Sequence, residues 1–144
     1  MPEKKTEGFS DFEKAAMKER AKELREAAKV EKNRAAGEKA IADKIAEMTP
    51  EDQKIANGLH ALVAEVAPDL IPKTMYGMPA YARDGKVLFF LQAASKFDTR
   101  YCSLGFEDRA ALDDGEMWPV SYAITTWSDA VGQRVREFIS KALG

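Results

Sequence analysis

The sequence predicts an α+β domain: a mainly antiparallel sheet of about five short strands, with N- and C-terminal helices packed on it and a charged helical arm in front. Three observations carry this. TPEDQKIANGLHALVAEVAP (49–68) and SDAVGQRVREFISKAL (128–143) place apolar residues at helical spacing. The stretch between them breaks into short apolar runs divided by turn signals. Residues 10–47 are dominated by Ala, Glu, Lys and Arg, with only a thin apolar stripe.

The arm comes first, and the boundary with the core domain is placed at 44/45. Ser10 or Asp11 suits the cap of its helix. Met17, Ala21, Leu24 and Ala28 step by four, three and four before Glu31 interrupts them, so the helix has little to bury. It reads as a solvated helix, with docking on a partner protein as the alternative. Gly37 is expected to break or weaken it, and residues 1–8 are expected to be disordered.

In the first core helix Thr49 suits the N-cap, Pro50 the first turn, and Glu51 and Asp52 the positive end of the helix dipole. Ile55, Leu59, Leu62, Val63 and Val66 form its inner face. MPAYAR reads as a strand with Pro79 near its start, Asp84-Gly85 as a hairpin turn, and KVLFFLQ as a central strand apolar on both faces. RYCSLGF pairs next. EDRAALDDG reads as a short helix closed by Gly115. WPVSYAITT alternates, with Trp118, Val120, Tyr122 and Ile124 on one face. Ser128 caps the last helix, whose inner stripe is Val131, Val135, Phe138, Ile139 and Ala142.

Charge and composition narrow the function. Residues 1–47 carry 12 Lys/Arg against 11 Asp/Glu and residues 48–144 carry 10 against 13, which gives +1 and −3 and the overall −2. No net field favours a nucleic acid or an anionic membrane, so neither is expected as a partner. No apolar run approaches a membrane span or a secretory signal. Cys102 is the single cysteine, which leaves no internal disulfide and suits a reducing cytoplasm.

No nucleophile–base motif or phosphate-binding loop is present, and no catalytic residue is assigned, which points away from an enzyme. His60 reads as a flank residue of its helix and Cys102 as a small core residue. Glu107, Asp108, Asp113, Asp114 and Glu116 lie within ten residues and are the candidate ligands for a weakly held divalent ion. Around the TMYGMPAY turn, aromatic and cationic residues interleave, which suits a small anion or a stacked ring. The candidate ligand-binding residues there are Tyr76, Tyr81, Lys96 and Trp118.

Tyr76-Gly77-Met78-Pro79-Ala80-Tyr81, then Gly85-Lys86, Phe89-Phe90 and Lys96-Phe97, resemble the YdhG-like proteins, also called domain of unknown function 1801. Leu112-Asp113-Asp114-Gly115 and Met117-Trp118-Pro119 resemble one branch of that family, so the likeness covers roughly residues 45–142. It implies a small bacterial cytoplasmic α+β domain. Some relatives are described as frataxin-like iron chaperones, which implies iron or another divalent metal as cofactor or cargo. The leading expectation is a small binding domain with weak iron or divalent-metal binding; the alternatives, carried by the residues themselves, are a small-molecule or anion pocket at the Tyr76–Tyr81 turn and protein interaction through the helical arm.

Overall fold

The computed structural model describes residues 10–144, so the expectation for residues 1–8 lies outside the described residues. The fold is α+β. Helix α1 (Asp11–Ala46) and helix α2 (Pro50–Val66) precede strands β1 (Ile71–Met75), β2 (Met78–Arg83) and β3 (Lys86–Gln92). A one-turn helix α3 (Ala94–Phe97), strands β4 (Cys102–Phe106) and β5 (Ser121–Ile124), and helix α4 (Asp129–Ala142) follow. The strands form one antiparallel sheet in the order β1-β2-β3-β4-β5. Among the described residues no helix is long and apolar enough to cross a membrane.

The chain divides into two units, residues 1–35 and 36–144, and α1 contributes residues to both. The division falls before the expected 44/45 boundary because Gly37, Ile41 and Ile45 are buried in the second unit. In the first unit, residues 10–33 are all exposed.

Local chemistry explains the helix starts. Ser10 Oγ accepts from the Glu13 N–H at 3.1 Å, Thr49 Oγ1 from that of Asp52 at 3.3 Å, and Ser128 Oγ from that of Val131 at 3.2 Å. Each cap satisfies a donor that the first helical turn leaves unpaired. Gly37 does not break α1. A Cβ there would lie 1.7 Å from the Pro72 carbonyl oxygen, so the glycine serves close approach of helix to strand rather than termination.

The TMYGMPAY segment makes a two-residue hairpin. Met75 pairs with Met78, and Tyr76 and Gly77 both take positive φ, 50° and 77°. β1 went unread in the sequence because IPKTM carries a proline and a lysine and lacks clean alternation. A bulge where β2 pairs with β3 leaves Leu88 without a partner between Val87 and Phe89, and Leu88 and Phe89 both enter the core. Under the sheet, Ile55, Leu59 and Val63 of α2 and Val135 and Ile139 of α4 meet Tyr81, Phe89, Leu91 and Leu104. An aromatic row runs Tyr81–Phe89–Phe106–Tyr122–Phe138, with centroids 4.2–6.1 Å apart.

EDRAALDDG is not a helix but a turn and extended loop. Ala110 and Leu112 are buried, and the Ala111 N–H donates to the Ala142 carbonyl at 3.0 Å. Anchoring to the end of α4 wins over the local helix propensity of the two alanines.

Candidate functional site

A cleft of the second unit lies beside the Tyr76–Gly77 turn, with a volume of ≈ 270 Å³. Its floor is apolar: Met78 and Pro79 of β2, Leu91 of β3 and Ala93 just after it, all buried. Met48, from the link between α1 and α2, and Phe97 of α3 form walls. Phe97 stays 40% exposed, a large apolar surface left in contact with water. Two cations stand at the rim. Lys44 Nζ pairs with Glu47 at 3.3 Å, and Lys96 Nζ reaches the Gly77 carbonyl at 3.4 Å. Lys96 is exposed and Lys44 half-buried, and both side chains are long enough to turn to an anion at the rim.

Beneath this cleft sits Asp52, the buried charged side chain among the described residues, at 5% exposure. Its Oδ2 accepts from the Ser95 N–H at 2.8 Å and from Ser95 Oγ–H at 2.5 Å. Its Oδ1 accepts from Cys102 Sγ–H at 3.4 Å. Burial would raise the Asp52 pKa, but the bonds from Ser95, with smaller help from Cys102 and Thr49, outweigh it and hold the carboxyl below its ordinary value. Burial, reinforced by the Asp52 charge, pushes the Cys102 thiol up to about 11 despite a bond at the Ala94 backbone. Cys102 is thus a buried, protonated thiol and a poor nucleophile at neutral pH.

This arrangement fixes the polarity of Ser95. Its hydroxyl hydrogen is committed to Asp52, so towards the cleft its oxygen is left to accept. The cleft therefore offers an acceptor at Ser95, donors at Lys44 and Lys96, and an apolar floor.

A second polar cluster joins α1, α2 and β2. His60 Nε2 lies 2.6 Å from Glu38 Oε2, and His60 Nδ1 lies 2.8 Å from Tyr81 Oη. In a neutral imidazole donating to the Glu38 carboxylate, Nε2 carries the hydrogen and Nδ1 accepts from the Tyr81 hydroxyl. The Tyr81 hydroxyl is driven well above the usual tyrosine range, first by burial and then by the negative charge of Glu38. Tyr81 is 1% exposed, so the cluster acts as a tie rather than an open site. Tyr81→Phe is expected to cost about 1 kcal/mol, because water can reach the freed His60 nitrogen. His60→Ala is expected to cost about 2 kcal/mol, because it strands the buried hydroxyl. Chemical denaturation of both variants checks that order.

The sequence candidates scatter. Lys96 stands at the cleft rim. Tyr76 projects from the hairpin tip at 89% exposure, Tyr81 lies under the sheet, and Trp118 packs against the core from the loop before β5. Neither tyrosine lines the cleft, nor does Trp118; the turn contributes Gly77, Met78 and Pro79 instead. Of the five acids, Asp108, Asp113, Asp114 and Glu116 are exposed and Glu107 half-buried. Among the described residues no three His, Cys, Asp or Glu side chains converge on a point that a metal ion could occupy. Asp52, Ser95, Lys44 and Met48 escaped the sequence reading. Asp52 was legible only as a helix-dipole acid, and nothing local links it to a serine 43 residues on. No protein-family model, curated protein or solved structure matches the chain.

Proposed function

We propose that the core unit is a small-molecule-binding domain whose cleft beside the Tyr76–Tyr81 turn takes a compact anionic ligand with a short apolar body. The apolar floor under Lys44 and Lys96 carries this reading. The volume lies at the lower edge of the usual range of ligand clefts, about 300–1,000 Å³, which favours a metabolite of a few carbons. The acceptor at Ser95 favours a ligand that also bears a hydroxyl or ammonium, so small hydroxy- and amino-carboxylates fit best.

Iron or another divalent ion, implied by the YdhG-like resemblance, lacks a converging ligand set among the described residues and is the weaker reading. Thermal-shift screening of short carboxylates with and without a hydroxyl or ammonium, followed by amide NMR, tests the proposal. Stabilisation with shifts at Met48, Gly77, Met78 and Lys96 is expected. Lys96→Ala should weaken binding about tenfold, the worth of one charge-assisted hydrogen bond. If no carboxylate perturbs those amides, the reading fails. Broadening by Mn²⁺ confined to residues 107–116 would restore the metal reading in its place.

A further inference from the structure

The near-neutral charge of the arm hides a pattern that its helical geometry brings out. Lys14, Lys18, Lys22, Arg25, Lys29 and Lys32 follow steps of four, four, three, four and three, which places all six on one ridge of α1. All six are exposed, and among the described residues none of the six is held in an ion pair. Glu19, Glu23 and Glu26 step by four and three on a separate stripe, roughly a third of a turn away. A solvated helix is steadied by interleaving opposite charges at i and i+4. Here, within residues 14–32, Lys14–Lys18, Lys18–Lys22, Arg25–Lys29 and Glu19–Glu23 are like-charge pairs at that spacing, against one opposite pair, Lys22–Glu26. The repulsion between cations along the ridge is relieved when a polyanion lies on it.

We infer that this ridge binds the phosphate backbone of a nucleic acid without regard to sequence. The six cations span ~27 Å at about one per turn, a straight row suited to a linear array of phosphates. A planar anionic membrane fits less well. Laid flat on the ridge, the helix would put no large apolar side chain into the bilayer, because Met17 and Leu24 lie a quarter of a turn or more from the ridge centre. A protein partner fits less well too. The Met17–Ala21–Leu24–Ala28 seam is thin and stops at Glu31, which leaves little apolar area for an interface core.

The test is fluorescence anisotropy of the full chain with a labelled 20-base-pair duplex, at salt from 50 to 200 mM. Binding should weaken by roughly 10³-fold over that range if all six cations engage. Lys18→Gln/Lys22→Gln/Lys29→Gln keeps good helix formers and should lower the log–log salt slope by about 3. Glu19→Gln/Glu26→Gln should tighten binding. Three outcomes overturn the inference: no binding at 50 mM salt, an unchanged slope in the triple variant, or tighter binding to phosphatidylserine vesicles or polyglutamate than to the duplex. The readout does not involve the cleft, so it stands or falls apart from the ligand proposal.

Discussion

Replacing Gly37 by alanine destabilises the core unit by about 2 kcal/mol or more, although alanine is the better helix former by about 1 kcal/mol. A Cβ at this position would sit 1.7 Å from the Pro72 carbonyl oxygen and 2.7 Å from its carbon. Those atoms belong to the β1 backbone and cannot swing aside as a side chain end does. Relief requires α1 to lift from β1, which would loosen the packing of Ile41 and Ile45, both buried in the core. Urea denaturation measures the effect as a lower midpoint. A neutral or stabilised Gly37→Ala variant would mean that the helix lies farther from β1 than described. Gly58 and Gly105 obey the same logic more gently. Their virtual Cβ atoms meet the rings of Trp127 and Phe90, each at 2.4 Å, and a ring can shift where a strand cannot.

Gly37 also marks what the sequence could and could not say. A glycine late in a charged helical stretch carries the same local signature whether it ends the helix or admits a neighbour. Only the position of Pro72, 35 residues away, distinguishes the two. Patterns with a short physical range were legible: the caps at Thr49 and Ser128, the cap of α1 to within Ser10 or Asp11, the apolar face of α2, the alternation through Tyr122 and Ile124, and the Asp84-Gly85 turn. The loop at 107–116 was misread because its conformation is set by burial of Ala110 and Leu112 and by the bond to Ala142, not by propensity.

The site was legible only in outline. The TMYGMPAY turn drew attention for its aromatics, and the cleft does lie beside it, but the aromatics point elsewhere. Tyr76 is turned out because a two-residue hairpin puts it at the tip. Tyr81 is turned in because it faces Phe89 across the sheet. The groups left to define the cleft are backbone-proximal turn residues and partners from Met48, Ser95 and Lys96, a combination no local motif announces. The charge ridge on α1 was missed for a different reason. Net charge sums over the helix circumference and erases the segregation that position around the axis restores.

Asp52 should be the most sensitive polar position in the core. Asp52→Ala removes the acceptor for the Ser95 amide, the Ser95 hydroxyl and the Cys102 thiol together, and should cost about 3 kcal/mol. Asp52→Asn keeps an oxygen for Ser95 and should cost about 1–2 kcal/mol at neutral pH. The two variants separate packing from charge, and pH separates them further. The folded carboxyl titrates below the ordinary value of 3.8, so its contribution is fully present above that value and is lost as pH falls through the folded pKa. In that window the unfolded chain binds more protons than the folded one, so wild-type stability should rise with pH. The gap between wild type and Asp52→Asn should therefore be widest at neutral pH and narrow as pH falls below the ordinary value of 3.8. Urea unfolding at pH 7, 5 and 3 measures it. A gap that stayed constant across those values would mean that Asp52 is not the ionised hub of this network. Ser95 would then be free to donate into the cleft, and the preference for a ligand donor opposite it would reverse.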